Sequence, residues 1–177
     1  MNAGRNPDLK QALRPVPDYE RAVREISRMF SDAGIRHALV GALGANAYRD
    51  RPRTTEDIDF LVGDEAFETH PGGFVTMRVP VIEFDGIDVD QVPLTERLRV
   101  IEDGLENPHF SEGVPIAPVE TIVVMKLLAG RTQDLADIEA IVASGADREL
   151  LRAAAQRAGP EHLSALERLF VNVDRSR

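Results

Sequence analysis

The sequence predicts an α+β fold in which a small mixed β-sheet is flanked by helices and followed by a mainly helical C-terminal part. Short apolar runs at 35–40 and 58–62 alternate with helix-period stretches, and an Asp85-Gly86 turn signal separates two extended runs. After Pro93 the periodicity is helical almost to the end. With 177 residues, 43% of them hydrophobic, the chain can bury one sizeable core. The expected divisions are a loosely held arm over 1–17, an α/β core over 18–93, and a helical part of the same domain over 94–177.

The first helix is expected from Asp18, its N-cap, to just before Gly34, because Ala22, Val23, Ile26, Met29, Phe30 and Ala33 recur at helical spacing. The run 35–40 reads as a buried strand ending at Gly41, and the small-residue stretch Gly41-Ala42-Leu43-Gly44-Ala45 opens a short helix. A loop carrying Arg49, Arg51 and Arg53 leads into a second strand at 58–62. Residues 74–79 and 81–84 look extended, with Pro80 marking an edge position or a break. Asp85-Gly86 then joins 81–84 to 87–92 as a hairpin. Beyond Pro93 the expectation is a helix over 94–105, a polar loop over 106–117, and helices over 119–129 and 132–143. An Asp147-capped helix then stops before Gly159-Pro160, and a last one covers 161–171.

Composition narrows the chemistry. The absence of cysteine removes disulfides, thiolate nucleophiles and Cys-ligated zinc, so a metal must sit on oxygen or imidazole. His37, His70, His109 and His162 show no metal spacing, and no serine lies in a G-x-S-x-G elbow. A net charge of -9 disfavours tight non-specific binding to duplex nucleic acid. The N-terminus carries no apolar core of signal-peptide length and no run of about 18 apolar residues follows, so a cytoplasmic protein without membrane association is expected.

Asp57 and Asp59 are one residue apart at the start of an apolar strand, so the period of two places both carboxylates on one face. Two adjacent like charges favour a hard divalent ion, Mg²⁺ or Mn²⁺, held jointly with substrate phosphates. Asp90 offers a third acid on a separate strand, with Asp88 on the same face. Gly41-Ala42-Leu43-Gly44 follows a strand and opens a helix, the arrangement that turns backbone N–H groups toward an anion, yet it fits neither GxGxxG nor GxxxxGK[ST].

Four segments resemble the minimal, DNA polymerase beta-like nucleotidyltransferases, particularly the branch of AbiEii-type toxins and some aminoglycoside nucleotidyltransferases. Ala38-Leu39-Val40-Gly41-Ala42 is similar to that family's phosphate-binding strand-turn, and Arg53-x-Thr55-x-Asp57-Ile58-Asp59 to its R-x-T-x-D-I-D signature. Gly86-Ile87-Asp88-Val89-Asp90 is similar to its third-carboxylate strand, and residues 126–138 to a K-L-x-A-x-R-x-x-D-x-x-D helical motif. The resemblance implies a nucleotidyltransferase fold and transfer of NMP from an NTP, such as ATP, to a hydroxyl on a small molecule, an RNA end or a protein, with release of pyrophosphate.

By the same resemblance, Asp57 and Asp59 hold the metal that bridges the phosphates, and Asp90 shares a second. Gly41, Ala42, Arg53, Thr55 and Lys126 meet the nucleotide. Arg131, Asp134 and Asp137 are instead expected to form a structural ion-pair set, since Asp134 and Asp137 are three apart on a helix. The family usually carries Gly-Gly or Gly-Ser where this chain has Gly41-Ala42, which leaves open an alternative: a catalytically silent binding module or toxin-antitoxin component. For the acceptor, Glu96, Glu102, Asp103, Glu106 and Glu112 offer an acidic surface to a cationic small molecule, and Arg14, Arg21, Arg24 and Arg28 a basic one to RNA.

Overall fold

A computed structural model describes residues 19–176. The arm expected over 1–17, the capping role of Asp18 and Arg14 lie outside the described residues.

Helix α1 spans Tyr19–Asp32 and buries Ala22, Val23, Ile26 and Phe30, while Met29 faces solvent. It ends where Ile35 N–H donates back to the Phe30 carbonyl at 2.9 Å, which sends the chain into β1, His37–Leu39. Helix α2, Gly41–Asn46, follows directly; a Cβ on Gly44 would lie 2.9 Å from the Leu39 carbonyl oxygen, so only glycine lets this turn sit so close to the strand. Strand β2 is Asp57–Val62. Next come a 3-10 turn at Asp64–Ala66 and strands β3, Phe67–Thr69, and β4, Val75–Met77, which pair only with each other.

Pro80 breaks the chain before β5, Glu83–Phe84, and a two-residue hairpin turn connects it to β6, Ile87–Pro93. Asp85 and Gly86 both have positive φ, 52° and 78°, the geometry that matches strand twist and explains the Asp-Gly pair. The expected helix over 94–105 is a 3-10 segment, Glu96–Ile101, running into a short helix α3, Glu102–Glu106.

The expected polar loop over 106–117 is instead a hairpin of β7, His109–Ser111, and β8, Val114–Ile116. Its turn is Glu112-Gly113, both at positive φ, and β8 is fully buried beside β1. Helices α4, Val119–Ala129, and α5, Thr132–Ala143, fall on the expected boundaries. In α6, Arg148–Ala158, the Asp147 side chain caps the N–H groups of Glu149 and Leu150. Helix α7, Pro160–Arg175, runs past residue 171 because Val173 still packs into the core.

The main sheet has the order β5-β6-β2-β1-β8-β7 and is mixed: β2 runs parallel to β6 and β1 parallel to β8, with antiparallel pairs elsewhere. The long excursion from β2 through β3, β4 and β5 is what allows β6 to return parallel to β2. Helix α4 is apolar around most of its circumference because it packs against α2, α5, α6 and α7. One hydrophobic cluster runs through the sheet and these helices. Among the described residues no helix is long and apolar enough to cross a membrane.

Phe60 is fully buried on the α1 side of the sheet, edge-on to Phe30 at 5.4 Å and to the buried His37 at 5.7 Å. Truncating Phe60 to alanine should therefore cost about 3–5 kcal/mol in urea-unfolding free energy. Phe74→Ala, at a side chain 73% exposed on the β3–β4 hairpin, should stay within about 0.5 kcal/mol. Similar midpoint shifts for the two variants would contradict this placement of the core.

Candidate metal centre

Alternation along β2 sends Ile58 and Phe60 into the core and Asp57 and Asp59 to the opposite face. Parallel pairing sets Asp59 opposite Asp90 and Asp57 opposite Asp88 on β6. Carboxylate oxygens of Asp57, Asp59 and Asp90 all lie within 4.8 Å of one another; Asp88, though in register with Asp57, stays outside the group. Burial first, then the charges of Asp57 and Asp90, push the Asp59 carboxyl up to about 6, against the weaker pull of Lys126 and Arg131. Thr55 donates its hydroxyl to Asp57 Oδ1 and so fixes that carboxylate at the strand entrance.

Gly41 completes the pocket. It holds φ +61°, and a Cβ there would sit 1.7 Å from Asp59 Oδ2, so the carboxylate lies directly against bare backbone. Val40 stands at the N-cap of α2 and has no side-chain acceptor to offer, so the first turn, whose Gly41 and Ala42 border the cleft, carries no side-chain cap.

Behind the acidic group is a buried ionic network. Asp137 has no exposed surface and accepts from Lys126 Nζ at 2.6 Å, Arg49 Nη1 at 2.7 Å and Arg53 Nε at 2.9 Å. Burial opposes the Asp137 charge, but the hydrogen bonds from Arg53 and Lys126 outweigh it and hold the carboxyl down at about 2. Asp134 accepts from Lys126 at 3.3 Å and from Arg131 Nε at 2.7 Å, and it too is held below the ordinary carboxylate range despite burial. The buried Asn46 side chain bonds both the N–H and the carbonyl of Arg53, closing the loop before β2 and aiming the Arg53 side chain at Asp137.

The residues singled out in the sequence share one cleft of about 370 Å³, bordered by Asp57, Asp59, Asp90, Gly41, Ala42, Arg53, Thr55 and Lys126. Val40, Val92, Ile122, Met125 and Ala129 add an apolar part to its wall. The ion-pair set expected of Arg131, Asp134 and Asp137 exists, but it is larger: Lys126 bridges its two aspartates, and Arg49 and Arg53 join at Asp137. Asn46, whose role no local sequence signal announces, supports the cleft from behind by holding the Arg53 backbone. The surfaces considered for an acceptor are largely self-neutralised: Glu102 pairs with Arg99, Glu106 with Arg36 and Glu112 with Arg24. Arg21 and Arg28 likewise pair, with Asp85 and Glu25.

No protein-family model matches the chain, and no curated protein does. Among solved structures it is similar to an antigenic nucleotidyltransferase-like protein from Paracoccidioides brasiliensis, with a TM-score of 0.48 and 16% sequence identity over 86% of this chain and 93% of that one. At that level of similarity, what the cleft can do rests on its own side chains.

The raised Asp59 pKa has a signed consequence for stability. The folded protein holds this proton more tightly than the unfolded chain, so the contribution of Asp59 is complete below about 3.8 and is lost as pH rises through about 6. With divalent ions removed by EDTA, wild-type stability relative to Asp59→Asn should fall across that window by up to ~3 kcal/mol and level off above it. Urea unfolding at a series of pH values reads this directly; parallel curves for the two proteins would assign the titration elsewhere.

Proposed function

We propose that this protein is a Mg²⁺- or Mn²⁺-dependent nucleotidyltransferase that moves NMP from an NTP to an acceptor hydroxyl and releases pyrophosphate. The observation that carries the reading is the convergence of Asp57, Asp59 and Asp90 within 4.8 Å at one end of a cleft whose other wall is basic. Three hard oxygen donors so close together, one of them driven toward protonation first by burial and then by the charges of the other two, fit a divalent ion in a chain without cysteine.

Asp57, Asp59 and Asp90 would hold the metal, which when bound neutralises phosphate charge and makes a nearby hydroxyl more acidic. The chain's own groups supply the rest by position. Thr55 orients Asp57, Gly41 leaves Asp59 room against the backbone, and the uncapped N–H groups of Gly41 and Ala42 offer donors to a phosphate. Arg53 and Lys126 act here through Asp137, as fixed positive charge behind the phosphates. The apolar wall of Ile122, Met125 and Ala129 suits a base or sugar edge. In the reaction the acceptor oxygen bonds to the α-phosphorus, the α–β anhydride bond breaks, and its electron pair leaves with pyrophosphate. Asp90, the most exposed of the three acids, stands where it can accept the hydroxyl proton.

Incubation with Mg²⁺ and each α-labelled NTP, against RNA, protein and small-molecule hydroxyl pools, should label one pool. Asp57→Ala should lower that labelling at least about 100-fold while leaving the fold intact by circular dichroism. Labelling that persists in Asp57→Ala would reject the assignment. Metal-dependent nucleotide binding without transfer to any pool would favour the silent module to which Ala42 points.

A further inference from the structure

The cations bordering the cleft are not equivalent. Lys126 is nearly buried, with 6% of its side chain exposed, and is shared between Asp134 and Asp137. Arg53 is 30% exposed; its Nε and Nη2 are on Asp137 and its Nη1 is on the Thr54 carbonyl. Arg131 differs from both: 78% of its side chain is exposed in the cleft wall, and among the described residues only Asp134 engages it, through its Nε and Nη2 edge.

Its position is also fixed. Arg131 stands at the N-cap of α5, one residue after Gly130, whose N–H closes α4 onto the Lys126 carbonyl at 2.9 Å. Asp134 itself is anchored from behind by Lys126. The guanidinium is therefore held on a short rigid corner between two packed helices. It borders the same cleft as Asp57 and Asp59, yet its ion pair is with Asp134 and not with either of them; its pKa is raised first by the hydrogen bond to and charge of Asp134, with smaller contributions from Asp59 and Asp57. Without the Asp134 tether, an exposed arginine next to three carboxylates would collapse onto them and block the site.

Resting on the nucleotidyltransferase reading, we propose that Arg131 binds the distal phosphates of the incoming nucleotide, and that Asp134 is the positioning residue that keeps it off the acidic group. The α-phosphate must lie at the carboxylates, where the bond to the acceptor forms. A planar fork that borders the same cleft but is ion-paired to Asp134, away from those carboxylates, is placed for the phosphates further along the chain. Arg131 thus discriminates triphosphate, and the departing pyrophosphate, from monophosphate.

The test compares wild type, Arg131→Gln and Arg131→Lys by calorimetric titration with Mg²⁺ and, separately, ATP, GTP, CTP, UTP and the matching monophosphates. For the NTP that wild type binds, Arg131→Gln should weaken affinity roughly ten- to hundredfold, the worth of a charge-assisted hydrogen bond, and monophosphate affinity should move less than about twofold. Melting temperature should fall somewhat in Arg131→Gln, because the buried Asp134 loses one of its two cationic partners, but that loss does not distinguish triphosphate from monophosphate; Arg131→Lys should recover only part of the NTP affinity because a point charge cannot reproduce the fork. A purely structural role would shift both nucleotides alike, and that result, or an unaltered NTP affinity in Arg131→Gln, would overturn the inference while leaving the proposed reaction standing. If wild type binds no NTP in Mg²⁺, the proposed reaction falls and this inference with it.

Discussion

Asp137 is the carboxylate on which the arrangement of the cleft depends. It is wholly buried on α5, yet it binds the lysine of α4 and two arginines of the loop that precedes β2. A buried charge is tolerated only when its partners saturate it, and here three cations do so. Through that one group the helical C-terminal part grips the loop that delivers Thr55 and Asp57 to their places.

The acidic group poses the opposite electrostatic problem. Carboxylates within 4.8 Å repel one another by on the order of 3 kcal/mol per pair at an effective dielectric near 20. Backbone pairing of β2 with β6 holds them together regardless, and the close contact of Asp59 with Gly41 prevents them from spreading. Lys126, Arg49, Arg53 and Arg131 outnumber Asp134 and Asp137, so the network behind the cleft retains net positive charge facing a net negative site. Such a surface has a place for a cation on one side and for an anion on the other, as the proposed reaction requires.

Much of this was legible in the sequence where the signal is local. The one-residue spacing of Asp57 and Asp59, the Asp85-Gly86 turn and the 3.6-residue patterns of α4 and α5 each depend on neighbours within a few positions, and each corresponds to an element of the structure. The β7–β8 hairpin did not announce itself, because Glu112-Gly113 adopts the same positive-φ turn as Asp85-Gly86 inside a stretch that reads as polar loop, and Pro115 obscures the buried strand. The ionic network was only partly visible. Asp134 and Asp137 are three apart on one helix face, but the arginines that saturate Asp137 lie 84 and 88 positions away, and no periodicity encodes that pairing.

If Asp57, Asp59 and Asp90 form a divalent-metal site, anomalous diffraction from crystals grown with Mn²⁺ should show a single strong peak bounded by their three carboxylates, absent in Asp59→Asn crystals of the same form. An ordered acidic group with no anomalous density, or manganese bound elsewhere on the chain, would contradict that assignment.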